Sequence, residues 1–224
     1  MRVICDFDGT ISRRDTTDLV LEHLADPAWR ALEEDWLAGR ITAAACMRSQ
    51  VALIGGSEVS LNALLDTVEL DPGFVAFVAW CEAHAVPLSI VSDGVDHFIS
   101  RILTRHDLGD IPVVANHLVG APGAWRLEQP WGREGCAAGS GVCKCAAAAA
   151  GLDAGNPTTV FVGDGRSDFC VSGRADLLFA KAALADYAAA RAQPFVAFET
   201  FADVRRALAL RIGEPASGAR IAAL

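Results

Sequence analysis

No stretch of this chain is long and apolar enough to cross a bilayer. Its most hydrophobic part, residues 74–91, is interrupted by Glu82, His84 and Pro87, whereas a spanning helix needs about 20 apolar residues in a row. A secretory leader is also expected to be absent, because the N-terminal segment that would carry its apolar core holds acids from Asp6 onward. Positive charge is scarce: 19 Lys and Arg face 28 Asp and Glu, for a formal net charge of -9. Nucleic acids and anionic membranes reward clustered positive charge, so neither is expected as a partner, and small-molecule chemistry is the default. Disulfide patterning is missing too. Seven cysteines form an odd set without framework spacing, which suits a reducing cytoplasm. Cys136, Cys143 and Cys145 lie close together but lack the C-x-x-C pairing of structural zinc, and small core residues are the plainer reading. Internal repeats are absent.

What the chain does have is 224 residues, 52% of them hydrophobic, enough for one substantial core and a small subdomain. After a short apolar run at 3–5, residues 16–70 read as helix almost throughout, with segments at 29–37, 41–53 and 58–65, the last with Ser57 as N-cap. One crossover helix would suffice to join two parallel strands, so this many helices predict an inserted helical cap over 15–71. Beyond Asp71-Pro72-Gly73 the pattern alternates: helix 74–85, strand 87–91, helix 95–105, strand 111–115. A hairpin around Gly120–Gly123 follows, then helix 142–150, strands 158–162, 176–180 and 195–198, helix 201–210, and a loose tail after Gly213. Strands separated by helices predict an α/β three-layer sandwich with a parallel sheet, built from 1–14 and 72–224.

Four places along this frame carry chemistry. Asp6-Phe7-Asp8-Gly9-Thr10 follows the first strand; alternation puts Asp6 and Asp8 on one side and Phe7 on the other, and Gly9 permits a sharp turn. Open α/β sheets bind ligands at the carboxyl ends of their strands, although Asp and Gly also make ordinary turns. Ser92-Asp93-Gly94 sits after a buried strand and before a helix, where a hydroxyl and backbone N–H groups receive an anion; an ordinary N-cap has the same composition. Lys144 lies in the first turn of a helix, opposing its dipole, and so calls for negative charge opposite it unless it is simply solvated. Finally Gly163-Asp164-Gly165-Arg166-Ser167-Asp168 ends another buried strand with two acids, the hard oxygen ligands that Mg2+ takes.

In this order the four segments resemble the haloacid dehalogenase superfamily of phosphotransferases, over nearly all of residues 2–180. The resemblance implies a Rossmannoid α/β core and a Mg2+-dependent phosphomonoester hydrolase acting on a small phosphate ester. Asp6 would attack phosphorus to form an aspartyl phosphate, and Asp8 would serve as general acid and then base. The Asp6 carboxylate, the Asp8 backbone carbonyl and Asp164 would hold the metal. Asp168 would hold a metal water or orient Lys144, and Ser92, Asp93, Gly94 and Lys144 would bind the phosphate. An acid at Asp8 favours phosphate-ester hydrolysis or mutase chemistry over dehalogenation. A receiver-like signalling module is the alternative outside enzymes.

Helices inserted after the first motif resemble the small cap of the phosphoserine phosphatase branch. The run Trp36–Thr42 followed by Gln50-Val51 is similar to methionine-salvage phosphatases, whereas Asp164–Cys170 with Cys143-Lys144 looks closer to the phosphoethanolamine, phosphocholine and pyridoxal phosphate phosphatases. Substrate contacts are expected from Asp93, which otherwise caps a helix starting at Gly94, and from Thr17, Asp18 or Glu22 at the cap entry. Arg48 is a weaker expectation.

Overall fold

The computed structural model describes residues 1–149 and 158–213. Along the chain, β1 (Arg2–Cys5) is followed by four helices, α1 (Thr16–Leu24), α2 (Trp29–Leu37), α3 (Ala43–Val51) and α4 (Glu58–Leu65). Then come α5 (Phe74–Ala83), β2 (Leu88–Val95), α6 (Asp96–Thr104), β3 (Val113–Val119), β4 (Arg126–Glu128) and α7 (Lys144–Ala149). The remainder is β5 (Thr159–Gly163), a single 3-10 turn at Arg166–Asp168, α8 (Phe169–Ser172), β6 (Leu177–Ala180), α9 (Ala182–Ala190), β7 (Val196–Ala197) and α10 (Phe201–Arg211).

The seven strands form one sheet in the order β4-β3-β2-β1-β5-β6-β7. Every neighbouring pair is parallel except the β3–β4 hairpin. Alternation along β1 divides the interior. Val3 and Cys5 face a core with Phe74, Phe77, Phe98, Ile99 and Phe201, while Ile4 joins Val142, Ala148, Val171 and Leu184 on the other side. Helices therefore cover both faces, the arrangement that parallel sheets require. As β1 is central, the residues that follow it emerge in the middle of the carboxyl edge.

Two boundaries differ from expectation in ways that matter for the site. Strand β2 continues through Ser92-Asp93-Gly94 to Val95, which pairs with Asn116 of β3 after a register shift between Val91 and Val95. Helix α6 accordingly starts at Asp96, with Val95 as an N-cap that makes no side-chain bond. Ser92 is thus not at a helix N-terminus, and Asp93 caps no helix. Strand β3 is displaced to Val113–Val119, and helix α9 was not anticipated. Helix α7 begins at Lys144; Ala150, its expected end, and the tail beyond Gly213 lie outside the described residues.

The helical insertion leaves and rejoins the sheet at one place. Ser12 and Leu70 form an antiparallel bridge, reinforced by Arg13 N–H to Glu69 O at 3.0 Å and Asp71 N–H to Ile11 O at 2.7 Å. Helix α4 is capped as expected: Ser57 Oγ accepts from Ser60 N–H at 3.1 Å, and Ser60 Oγ accepts from Ser57 N–H at 2.9 Å. The residue at its C-cap, Asp66, takes two bonds from Arg101 of α6 at 2.8 and 2.7 Å. The Arg101 hydrogen bond holds Asp66 below the usual carboxylate range. Because the folded pKa lies below the unfolded one, the pair's contribution is present above about pH 4 and fades as pH falls through the folded value. Asp66→Asn should therefore lower Tm by about a degree or two at pH 7. The gap should narrow as melts are taken progressively below about pH 4; a gap independent of pH would mean the charge is not what stabilises.

Candidate active site

Asp6 follows directly on β1 and extends its pairing by one residue, donating its N–H to Val162 O at 2.9 Å. Phe7 turns into the core and is fully buried. Its carbonyl accepts from Ile11 and Ser12 N–H at 2.8 and 2.9 Å, wrapping residues 8–12 into a tight turn. Gly9 has φ +71°, and a Cβ there would collide with the Asp164 carboxylate; only glycine satisfies both demands at once. The turn brings Thr10 Oγ1 to donate to Asp164 Oδ1 at 2.6 Å.

Lys144 is the electrostatic centre. It is 1% exposed, and its Nζ lies 2.8 Å from Asp6 Oδ1, 2.6 Å from Asp168 Oδ1 and 2.9 Å from Ser167 Oγ. Burial works against the ammonium charge, yet Asp168 and Asp6 outweigh it and hold the lysine above its ordinary pKa. The remaining Asp168 oxygen accepts from Asp164 and Gly165 N–H, both at 3.1 Å. Its two oxygens are therefore engaged by Lys144 and by the loop after β5. Asp164 is pushed up by burial and by the Asp6 charge, with Lys181 nearby as a partial counterweight.

Asp8 points elsewhere. Its Oδ1 accepts from Thr16 N–H at 2.8 Å and Thr16 Oγ1 at 2.6 Å, at the start of α1. Burial, chiefly, pushes its carboxyl up to about 7 against those two bonds. A carboxyl poised there can give a proton and take it back near neutral pH. Gly94 leaves the room it needs, since a Cβ at that position would collide with Asp8 Oδ2. Ser92, 1% exposed, accepts from Gly94 N–H at 3.0 Å through its Oγ.

One oxygen from each of Asp6, Asp164 and Asp168 falls within 4.8 Å of the others. Clustered anionic oxygens are the donor type a hard divalent cation takes, so these residues fit Mg2+. Among the described residues, Cys136, Cys143 and Cys145 form no comparable group.

A cleft of about 300 Å3 opens over these groups, lined on one side by Asp6, Asp8, Ser92, Asp93 and Asp164 and on the other by α1–α3. Thr17 and Asp18 line it as expected. Glu22 does not: it is half-exposed beside Arg14 at 3.7 Å, because the helical repeat carries it along α1 away from the opening. Arg48 bonds the Gln129 side chain instead and lines a separate depression. Several lining residues were not singled out individually: Asp15, Glu33, Cys46, Met47 and Arg166. Arg166 sits 5.6 Å from the Trp36 ring centroid, joining the loop of Asp164 to α2. Trp36 and Gln50 belong to the segment that resembled the methionine-salvage enzymes, so a signal for them was available.

Residues 3–172 match the family of haloacid dehalogenase-like hydrolases. The chain belongs to that family. A 2-hydroxy-3-keto-5-methylthiopentenyl-1-phosphate phosphatase of Brevibacillus brevis is 31% identical over 215 residues, spanning 92% of this chain and 94% of the relative. A protein of the same name from Geobacillus kaustophilus is 31% identical over 210 residues, with the same two shares. The solved phospho-aspartyl intermediate analogue of a phosphoserine phosphatase superposes with a TM-score of 0.67 at 17% identity, covering 94% of this chain and 97% of that one; this likeness is one of fold. The haloacid dehalogenase-like chain is accordingly an enzyme, a phosphatase with an α/β sheet of the phosphoserine phosphatase type.

Proposed function

We propose that this protein hydrolyses a small phosphate monoester through an aspartyl phosphate on Asp6. The observation that carries this reading is the Asp6–Lys144 pair at 2.8 Å with Asp8 beside it, free of that pair and held by Thr16. Asp6 attacks phosphorus; the P–O bond to the leaving group breaks, and its oxygen takes the Asp8 proton. Asp8, now ionised, draws a proton from water as the water oxygen attacks the phosphorus of the aspartyl phosphate, releasing inorganic phosphate and restoring both acids. Two like charges about 4 Å apart repel by about 4 kcal/mol at an effective dielectric near 20. Lys144 opposes that repulsion, and Ser92 offers a hydroxyl to a phosphate oxygen. Mg2+, held by the Asp6 and Asp164 carboxylates and the Asp8 carbonyl, would supply further neutralisation of the phosphate oxygens.

Residues 15–71 act as a cap that supplies specificity, with 1–14 and 72 onward as the catalytic unit. The side of the cleft formed by Trp36, Ala43, Cys46 and Met47 offers an apolar, polarisable wall to a thioether. Together with the names of the relatives, this favours 2-hydroxy-3-keto-5-methylthiopentenyl-1-phosphate as substrate. The acids Asp18 and Glu33 in the same cleft support a second reading, an aminoalcohol phosphate. A panel assayed with Mg2+ separates them: the methylthio ester should exceed phosphoethanolamine, phosphocholine, phosphoserine, pyridoxal phosphate and sugar phosphates by about tenfold or more in kcat/KM. A lead for the aminoalcohols would select the second reading, and equal low activity on all would remove the cap's role in specificity.

A further inference from the structure

We propose that Asp93 and Asn116 are positioning residues that lock the strand carrying Ser92 to the loop delivering Lys144, with Asp93 acting through the backbone and not on the leaving group. This rests on the catalytic reading above. The register shift in β2 takes Asp93 and Gly94 out of the regular ladder with β3, leaving their carbonyls in need of donors. Asn116, on β3 and fully buried, provides them: its Nδ2 donates to the Asp93 carbonyl and to Gly94 O at 3.2 Å, and approaches Asp93 Oδ1 at 3.3 Å. Those carbonyls fix the amide's orientation, because the reverse would set oxygen against oxygen.

Asp93 carries the connection across the site. Its Oδ1 accepts from Val142 N–H at 2.9 Å, two residues before Lys144. Asn116 touches the same loop: a Cβ on Gly141 would collide with its Oδ1. That Oδ1 has no hydrogen-bond partner. An unsatisfied buried acceptor is destabilising, a burden an apolar residue on this strand would avoid. Apolar packing alone therefore gives no reason for an amide here, whereas the need for its N–H groups does. Through these bonds the Ser92 hydroxyl on β2 and the Lys144 ammonium at the start of α7, which approach the phosphate from different elements, share one reference frame.

The test uses the full-length enzyme with Mg2+ and each ester of the panel. Asp93→Ala should lower kcat by roughly 10–100-fold, with KM within about threefold and the loss alike for every ester. Asp93→Asn keeps an oxygen for Val142 N–H and should recover most of the lost turnover. Asn116→Ala should resemble Asp93→Ala, and the double variant should be no worse than the poorer single one, since both break one connection. Hydrogen exchange without substrate supplies an independent reading: the Val142 amide should exchange faster in Asp93→Ala and return toward the native rate in Asp93→Asn. Exchange as expected in a protein that hydrolyses no monoester would support the lock and overturn the catalytic reading alone. Asp93→Asn as damaging as Asp93→Ala, or a KM increase confined to cationic leaving groups, would overturn the proposal in favour of direct contact.

Discussion

Asp6→Asn should lower kcat by about 10^4-fold or more while leaving the fold intact, since the loss of a nucleophile has effects of that order. The substitution is nearly isosteric. An amide oxygen can still accept from Phe7 N–H, as Asp6 Oδ1 does at 2.8 Å, and the backbone bond to Val162 O is untouched. What disappears is the charge and the capacity to attack phosphorus. Removing one anion from a crowd that includes Asp164 and Asp168 also relieves repulsion, so Tm should stay level or rise. Rapid acid quench of the native enzyme during turnover should trap phosphate on the protein, and the variant should trap none. Turnover retained above about 1% would move the nucleophile elsewhere.

The clustering of the candidate site's acids and lysine was legible because their positions follow from local rules. Alternation along β1 set Asp6 and Asp8 apart from Phe7, and a lysine against a helix dipole demanded an acid opposite, which Asp6 and Asp168 supply at 2.8 and 2.6 Å. The chain has two lysines: Lys144 meets Asp6 and Asp168, and Lys181 acts electrostatically on Asp164. Helix α4 was readable from its Ser57 cap, whereas α9, AALADYAAA, has too little contrast between apolar and polar positions to give a period.

The substrate side was harder for a different reason. Which part of a cap helix meets the cleft depends on how the helices dock on the sheet, a long-range property. Thr17 and Asp18 face it while Glu22, one turn on, pairs with Arg14 outside. Arg166 meets Trp36 across 130 residues of sequence. The helix-cap alternative for Asp93 failed for a single reason, a strand that continues four residues beyond its expected end. Without the extension of β2 to Val95, a small polar triplet before a helix is indistinguishable from a cap, and the bond from Val142 has no precedent in local sequence.

Lys144→Met should cost the protein both activity and stability, and the two losses should come apart on adding a second substitution. The ammonium is buried with three partners, so its removal leaves Asp6 and Asp168 facing each other without compensation. Breaking a buried pair by deleting one partner typically costs about 3–5 kcal/mol, readable as a large fall in Tm or in the denaturation midpoint. Turnover should fall by roughly 10^2–10^3-fold, the scale for losing one preorganised electrostatic stabiliser. Adding Asp168→Asn neutralises the stranded partner while retaining an oxygen for the N–H groups of Asp164 and Gly165. Stability should then recover substantially, because a buried ion pair replaced on both sides is often close to neutral. Activity should not recover, as nothing positive would face the phosphate at that point. If turnover returned together with stability in the double variant, Lys144 would be a folding element that compensates Asp168, and the burden of stabilising the transferred phosphoryl group would pass to the metal and to Ser92.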